Sequence, residues 1–153
     1  MKKIIFALIL VSLSACNKNT LYEKYNHTAI AGWEKNDTLF FDVPRTSVQG
    51  TFTDKLGLRI NGYYPFTGLT LIVEQTVYPR DITYTDTISC PLVDPVSGRY
   101  KGHGVSYYQY IYDIRNIDLH LGDSLHISVR HDMKREILPG ISDIGMEITR
   151  TQD

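Results

Sequence analysis

The stretch HISVRHDMKREILPGISDIGMEI, His126–Ile148, decides the fold. Its beginning alternates polar and apolar side chains, as a half-buried strand does, and Ile144, Met146 and Ile148 alternate again near its end. Four of the five residues from Asp132 to Glu136 are charged, and a Pro-Gly pair follows them. Such a pair is typical of a turn. The stretch therefore predicts a strand, a solvated connection and a second strand, although the same charges could also be interpreted as an active site.

The rest of the chain has the same period-2 pattern, with many β-branched and aromatic residues and with glycine- and proline-containing turns between the segments. The predicted strands are Leu39–Val43, Lys55–Ile60, Leu69–Val77, Ile82–Ser89, Tyr107–Ile114, Asp123–Arg130 and Ile144–Ile148. No window has a sustained helical stripe. An all-β fold follows, an antiparallel β-sandwich of about seven strands, with a small barrel as the alternative.

The N-terminus has the features of a secretory signal. Lys2 and Lys3 precede an unbroken apolar run, Ile4–Val11, which is too short for a permanent membrane span of about 20 residues. The run ends in LSAC, Leu13–Cys16, which resembles the lipobox of bacterial lipoproteins. That resemblance implies cleavage before Cys16 and acylation of this cysteine. An ordinary cleaved signal with an incidental cysteine is the alternative.

Three regions follow from these features: a lipoprotein signal peptide over residues 1–15, a lipid anchor and tether over 16–31, and a β-sandwich domain over 32–153. Removing Lys2 and Lys3 with the signal peptide changes the formal net charge from −1 to −3. No basic field is left to indicate nucleic-acid binding. Acylation of Cys16 would leave only Cys90, which we predict to be a small buried hydrophobe.

No segment has the pattern of a catalytic or metal site. On a regular strand His126 and His131 point to opposite faces, and HExxH and CxxC patterns and a GxSxG elbow are absent from the sequence. Acids such as Asp143 and Glu147 could form a glycosidase pair only if they converged at about 5 to 10 Å. We predict a protein without enzymatic activity, metal or cofactor.

Aromatic and charged clusters are the candidates for an interaction surface. Tyrosine has a flat apolar ring and a polar tip, so it suits strand packing, protein interfaces and sugar stacking alike. The candidate residues are Tyr63, Tyr64, Tyr108, Tyr110, His131, Asp132, Lys134 and Arg135. Trp33 precedes the first predicted strand, and we expect it to plug one end of the core.

Several segments together resemble a known family. They are GWEKNDTLFF (Gly32–Phe41), LRINGYYPFTGLTLIV (Leu58–Val73), GRYKGHGVSYY (Gly98–Tyr108) and the C-terminal stretch quoted first. In this order behind a lipobox, they resemble the GldH gliding-motility lipoproteins of Bacteroidetes-type bacteria. The most specific part comprises His131, Met133, Leu138, Gly140, Ile141, Asp143, Ile144 and Gly145. The chain departs from the family pattern at TGLT, Thr67–Thr70.

The resemblance implies a lipid-anchored envelope protein associated with the gliding machinery and with the type IX secretion apparatus, and it implies no catalytic residues. We therefore expect a non-enzymatic accessory lipoprotein that is attached to the membrane through Cys16 and binds other envelope proteins. A lipid-anchored glycan-binding module is the alternative. Asn17, Lys18 and Asn19 follow the cysteine, without an acid-rich run that would indicate surface export. We expect the periplasmic face of the outer membrane.

Overall fold

The computed structural model describes residues 19–151, so the predicted signal peptide and Cys16 lie outside the described residues. Within that range the secondary structure consists of ten strands. They are β1 (Thr20–His27), β2 (Trp33–Glu34), β3 (Leu39–Val43), β4 (Gly50–Asn61), β5 (Gly68–Tyr78), β6 (Ile82–Pro91), β7 (Tyr107–Leu119), β8 (Ser124–His131), β9 (Ile137–Leu138) and β10 (Ile141–Arg150). In this part of the chain we find no helix with the length and apolarity needed to cross a bilayer.

The strands form two four-stranded antiparallel sheets. The first has the order β1-β10-β4-β7 and the second the order β3-β8-β5-β6, while β2 pairs with β9 outside both. The predicted all-β fold is confirmed, and each of the seven predicted strands is present. Inner-face side chains of both sheets, such as Leu56, Leu58, Ile127 and Val129, are fully buried. Burial of such apolar surface contributes about 25 cal/mol per Å² to the free energy of folding.

Strand β1 corrects one prediction. The sequence predicts a tether over residues 16–31, whereas Thr20–His27 pair along β10. As an edge strand β1 has little alternation: Leu21 and Tyr22 pack partly buried against the core, and the Tyr25 ring lies against two glycines. A Cβ at Gly145 would lie 2.5 Å from Tyr25 Cε1, and Gly57 pairs directly with Gly145 on the neighbouring strand. The Arg59 guanidinium lies 3.9 Å from the centre of the same ring.

The strand directions define two ends of the sandwich. Thr20 pairs with Thr149, whereas His27 pairs with Asp143, so β1 runs from one end to the other. We call the end at Thr20 the lower end; its loops comprise residues 44–49, 79–81 and 120–123. The opposite, upper end comprises residues 28–38, 62–67, 92–106 and 132–140. Trp33 is fully buried at the upper end, as predicted.

Candidate functional site

All eight predicted interaction residues lie at or next to the upper end. Tyr63 and Tyr64 belong to the loop after β4, Tyr108 and Tyr110 to the first residues of β7, and the remaining four to the end of β8 and the loop that follows it. Segments that are distant in the sequence therefore meet at one end of the sandwich. Their exposure, however, differs between residues that the sequence treats alike.

Two of the tyrosines belong to the core, and their assignment to an exposed surface is wrong. Tyr64 and Tyr110 are only 3% and 6% exposed. The hydroxyl of Tyr64 donates a hydrogen bond to the carbonyl oxygen of Gly68 at 2.8 Å, and that of Tyr110 donates to Leu92 at 2.8 Å. Each ring is therefore buried without leaving its polar tip unpaired.

His131 is also buried rather than exposed. Its ring meets the Trp33 ring edge to face, with 5.2 Å between the centroids, and its Nδ1 accepts a hydrogen bond from the Met133 N–H at 3.4 Å. Burial lowers the pKa of the imidazole, which favours its neutral form. The parity of β8 predicts this position, because Leu125, the first buried residue of that strand, lies on the same face as His131.

The tyrosine-rich strand β7 closes the gap between the two sheets. The ring of Tyr108, which is half-buried, stacks on Tyr100 with 4.0 Å between centroids. The Tyr112 hydroxyl donates to the carbonyl oxygen of Pro91 at 2.9 Å. Together with Tyr110, these residues attach the segment after β6 to β7. Three of the four tyrosines of β7, namely Tyr108, Tyr110 and Tyr112, therefore contribute to packing. Only Tyr107 is left free for stacking on sugars.

The upper end contains a groove of about 580 Å³. It is lined by His27, Thr28, Ala29, Ile30, Asn61, Tyr107, Gly140, Ile141 and Ser142. Ile30 is fully exposed, Tyr63 is 82% exposed and Tyr107 is 59% exposed. Asn61 joins the two tyrosines, since it pairs with Tyr107 and its Oδ1 accepts the Tyr63 N–H at 3.0 Å. We call Ile30, Tyr63, Tyr107 and this groove the upper patch.

Ile30 and Tyr107 were not among the predicted interaction residues. Ile30 lies in the short apolar segment Ala29–Ala31, which is separate from any predicted strand. This separation from the strands was the feature of the sequence that could have indicated an exposed apolar residue. The predicted residues Asp132, Lys134 and Arg135 are exposed in the neighbouring loop. That loop is attached to the fold by Lys35, whose Nζ donates to the Met133 carbonyl oxygen at 2.9 Å.

The walls of the groove are fixed by polar contacts between β1 and β10. The Thr28 hydroxyl donates to the Ile141 carbonyl oxygen at 2.5 Å, and the Thr28 N–H donates to Ser142 at 3.1 Å. The Nδ1 of His27 lies against Oδ1 of the buried Asp143 side chain. Both strands therefore hold this part of the upper patch in one shape, which is the preorganisation that a binding surface needs.

The two acids named from the sequence, Asp143 and Glu147, do not form a glycosidase pair. Asp143 and Glu147 lie four residues apart on one strand, which separates them by roughly 13 Å. Asp54 and Asp86 interact more closely, and burial raises the pKa of Asp54 to about 7 despite the opposing effects of Gln75 and Arg115. The Asp54 side chain, however, has no exposed surface, so a sugar cannot reach it.

Neither a metal centre nor a reactive thiol is present between residues 19 and 151. No three His, Cys, Asp or Glu side chains in that range are arranged to hold a metal ion. Cys90 is fully buried, as predicted, and burial raises the pKa of its thiol to about 12. A thiol in this state is not a nucleophile at neutral pH.

Comparison with known proteins identifies relatives along nearly the whole chain. The profile of the family described as "GldH lipoprotein" matches residues 20–148. A protein of Flavobacterium johnsoniae named "Gliding motility lipoprotein GldH" is 29% identical over 157 aligned positions, which cover 94% of this chain and 93% of that protein. The matched region includes every strand from β1 to β9 and most of β10.

Two solved structures show a weaker likeness. A family GH115 4-O-methyl-alpha-glucuronidase is 12% identical with a TM-score of 0.49, and the match covers 90% of this chain but 18% of that one. Dimeric latent PorU from Porphyromonas gingivalis is 10% identical with a TM-score of 0.35, over 86% of this chain and 13% of that one. At these scores neither structure informs the function of this chain.

Proposed function

The chain belongs to the GldH lipoprotein family, and on that premise we propose that it is a non-enzymatic accessory component of the gliding machinery and its associated type IX secretion apparatus. Its upper patch binds another envelope protein. Acylated Cys16 attaches the chain to the outer membrane at the periplasmic face. The observation that supports this proposal most strongly is the preorganised upper patch at the end of β1 opposite to the predicted anchor.

The chemistry of the upper patch suits a protein partner. Exposed Ile30, Tyr63 and Tyr107 provide apolar and aromatic area next to a groove with polar walls. Aromatic residues at the centre and polar groups at the rim are typical of protein interfaces. In such interfaces a few well-placed aromatic anchors supply most of the binding free energy.

The proposal is tested by affinity purification of the tagged, full-length protein from solubilised envelopes of its host. The double variant Tyr63→Ala/Tyr107→Ala is compared with the wild type and with Ile111→Ala, because Ile111 is 46% exposed in the middle of β7. We expect motility or secretion components with the wild type and with Ile111→Ala, and a loss of at least tenfold with the double variant. Recovery of none of them with the wild type would contradict the proposal.

A glycan-binding module is the second candidate, and the exposure of Tyr63 and Tyr107 is the observation that favours it. Variants of Tyr108 and Tyr110 are unsuitable for its test, because these side chains pack the structure. Polysaccharide arrays with the wild type and with Tyr63→Ala/Tyr107→Ala distinguish the two functions. Protease treatment of intact cells adds a second distinction, because the machinery proposal predicts protection and a nutrient-capturing module requires surface exposure.

A further inference from the structure

The lower end has exposed apolar residues on adjacent loops. Leu121 is 63% exposed between β7 and β8, and Tyr78 is 46% exposed at the end of β5. Val48, in the loop between β3 and β4, is 40% exposed. Each of the three lower loops, or the strand residue next to it, therefore exposes at least one apolar side chain to solvent. A partly exposed tyrosine and a leucine that line the same cavity, with an exposed valine on another loop of this end, suit the interface of a bilayer with water.

Cationic groups lie beside these residues around a cavity of about 430 Å³. It is lined by Arg45, Tyr78, Pro79, Arg80, His120, Leu121, Gly122, Asp123 and Ser124. The buried carboxylate of Asp123 is neutralised by Arg80, with 2.6 Å between Oδ2 and Nη2. Among residues 19–151, no carboxylate lies within 4.0 Å of the Arg45 guanidinium. Arg45 is therefore available for an anion from outside the chain, and arginine suits the geometry of phosphate.

The place where the chain enters the folded domain indicates what lies opposite the lower end. The Arg150 N–H donates to the carbonyl oxygen of Asn19 at 2.7 Å, so the folded domain already includes Asn19 at its lower end. Only three residue steps separate Asn19 from Cys16, and even a fully extended chain covers at most about 11 Å in three steps. If Cys16 is acylated as proposed above, the lower end lies within this distance of the lipid, whereas the eight residues of β1 place the upper patch about 25 Å further away.

We infer that the lower end is a second, non-covalent contact with the bilayer, and this inference rests on the proposed acylation of Cys16. Leu121 and Tyr78 enter the interfacial layer, and Arg45 and His120 lie against the phosphate groups of anionic lipids. The acyl chains supply the anchoring, and the lower-end loops set the orientation. The upper patch is then held away from the membrane with its groove free for a partner.

The inference is tested with the lipidated mature protein in vesicles of phosphatidylethanolamine and phosphatidylglycerol in equal parts. Leu121→Cys and Tyr63→Cys are each labelled with an environment-sensitive fluorophore. Cys90 is fully buried and its thiol pKa is raised, so only the introduced cysteine reacts once Cys16 is acylated. We expect the Leu121→Cys label at least to double its emission on vesicle binding and to be quenched by headgroup spin labels. The Tyr63→Cys label, our matched control, changes by less than a tenth.

Two further measurements keep the result unambiguous. Vesicle flotation reports the anchor independently, because absence of flotation overturns the acylation on which the inference rests. Flotation with an unquenched Leu121→Cys label overturns the inference and leaves the anchor intact. The variant Arg45→Glu in the Leu121→Cys background, with its fold checked by circular dichroism, should lose at least half of the quenching in these vesicles. Unchanged quenching would show that the cationic group does not contact the lipid phosphates.

Discussion

The two ends of the sandwich differ in how their loops are built. At the upper end, four long segments pack on one another through glycines and tyrosines, and a Cβ at Gly140 would overlap the backbone nitrogen of Tyr64 and lie 2.8 Å from the carbonyl carbon of Tyr63. At the lower end the loops are short, and a Cβ at Gly122 would meet no atom within 4 Å. The upper end is therefore built by close packing of backbone at glycine, while the lower loops are joined by polar contacts such as the Arg80–Asp123 ion pair and the hydrogen bond from the Thr46 N–H to the Asp123 carbonyl oxygen at 2.8 Å.

Because of this difference, the upper end suits a protein partner and the lower end suits a lipid surface. A protein partner has a defined shape, so a rigid groove with fixed aromatic residues gives affinity without a large loss of side-chain entropy. A lipid surface is fluid, so it needs only apolar and cationic groups that point the same way. The following predictions test whether the two ends differ in this manner, from the largest expected effect to the smallest.

The substitution Gly140→Ala should destabilise the protein most. Gly140 has φ +81°, where an L side chain costs about 1–2 kcal/mol, and the overlap with Tyr64 adds about as much again. We expect the free energy of unfolding to fall by about 2–4 kcal/mol in urea denaturation. Gly122→Ala is the matched control, because its φ of +85° carries the same conformational cost without the overlap. Equal losses would show that the upper loops are not tightly packed.

The lower half of the core contains a polar group that makes stability pH-dependent. Asp54 is fully buried, and this burial raises its pKa to about 7. The folded state therefore binds this proton more tightly than the unfolded chain does. The contribution of this proton binding to stability is full below about pH 3.9, the pKa of an aspartate in the unfolded chain. It is lost as the pH rises through about 7, the pKa of Asp54 in the folded state.

The variant Asp54→Asn should consequently be more stable than the wild type by on the order of 2–3 kcal/mol at alkaline pH and about equal to it in acid. Chemical denaturation across this pH range measures the difference. Asp113→Asn, which changes an exposed carboxylate on β7, serves as the control and should leave the pH profile unchanged. A wild-type protein whose stability does not fall between mildly acidic and alkaline pH would contradict the assignment to Asp54.

Strand β1 connects the two ends, and Tyr25 contributes to its attachment. Replacing this side chain by alanine uncovers Gly57 and Gly145 and removes the stacking of Arg59. We expect a loss of about 2 kcal/mol for Tyr25→Ala, below the value for a fully buried aromatic residue. Tyr25→Phe keeps the ring and loses only a long hydrogen bond of 3.3 Å from Gln109, so it should cost less than about 0.5 kcal/mol. Thermal unfolding of both variants measures this difference, and similar losses would mean that the hydroxyl rather than the ring holds β1.

Substitutions in the upper patch should have the smallest effect on the free energy of unfolding. Tyr63 and Tyr107 are mostly exposed, so Tyr63→Ala/Tyr107→Ala should change the free energy of unfolding by less than about 0.5 kcal/mol. Thermal unfolding measures this change. A large fall would assign these tyrosines to packing, and the loss of partner binding proposed above could then no longer be attributed to a surface contact.

The sequence predicts the strands better than it predicts exposure. Seven strands are recognisable because one of their faces is buried and the side chains alternate accordingly. Strand β1 has no such pattern, and its contacts come from partly buried Leu21 and Tyr22 and from Tyr25 on glycines of other strands. Tyr110 and His131 were chosen by residue type, although the alternation of β7 and β8 places them on inner faces. Tyr64 lies in a loop where no periodicity applies, so only the three-dimensional structure reveals its burial.

Photo-crosslinking in living host cells tests the different roles of the two ends most directly. A photoreactive amino acid replaces Tyr63 at the upper end or Leu121 at the lower end of the lipidated protein. We predict that the label at Tyr63 yields a discrete adduct with another envelope protein, and that the label at Leu121 yields adducts with lipid. The same protein adduct from both positions, or lipid adducts from Tyr63, would contradict this account of the molecule.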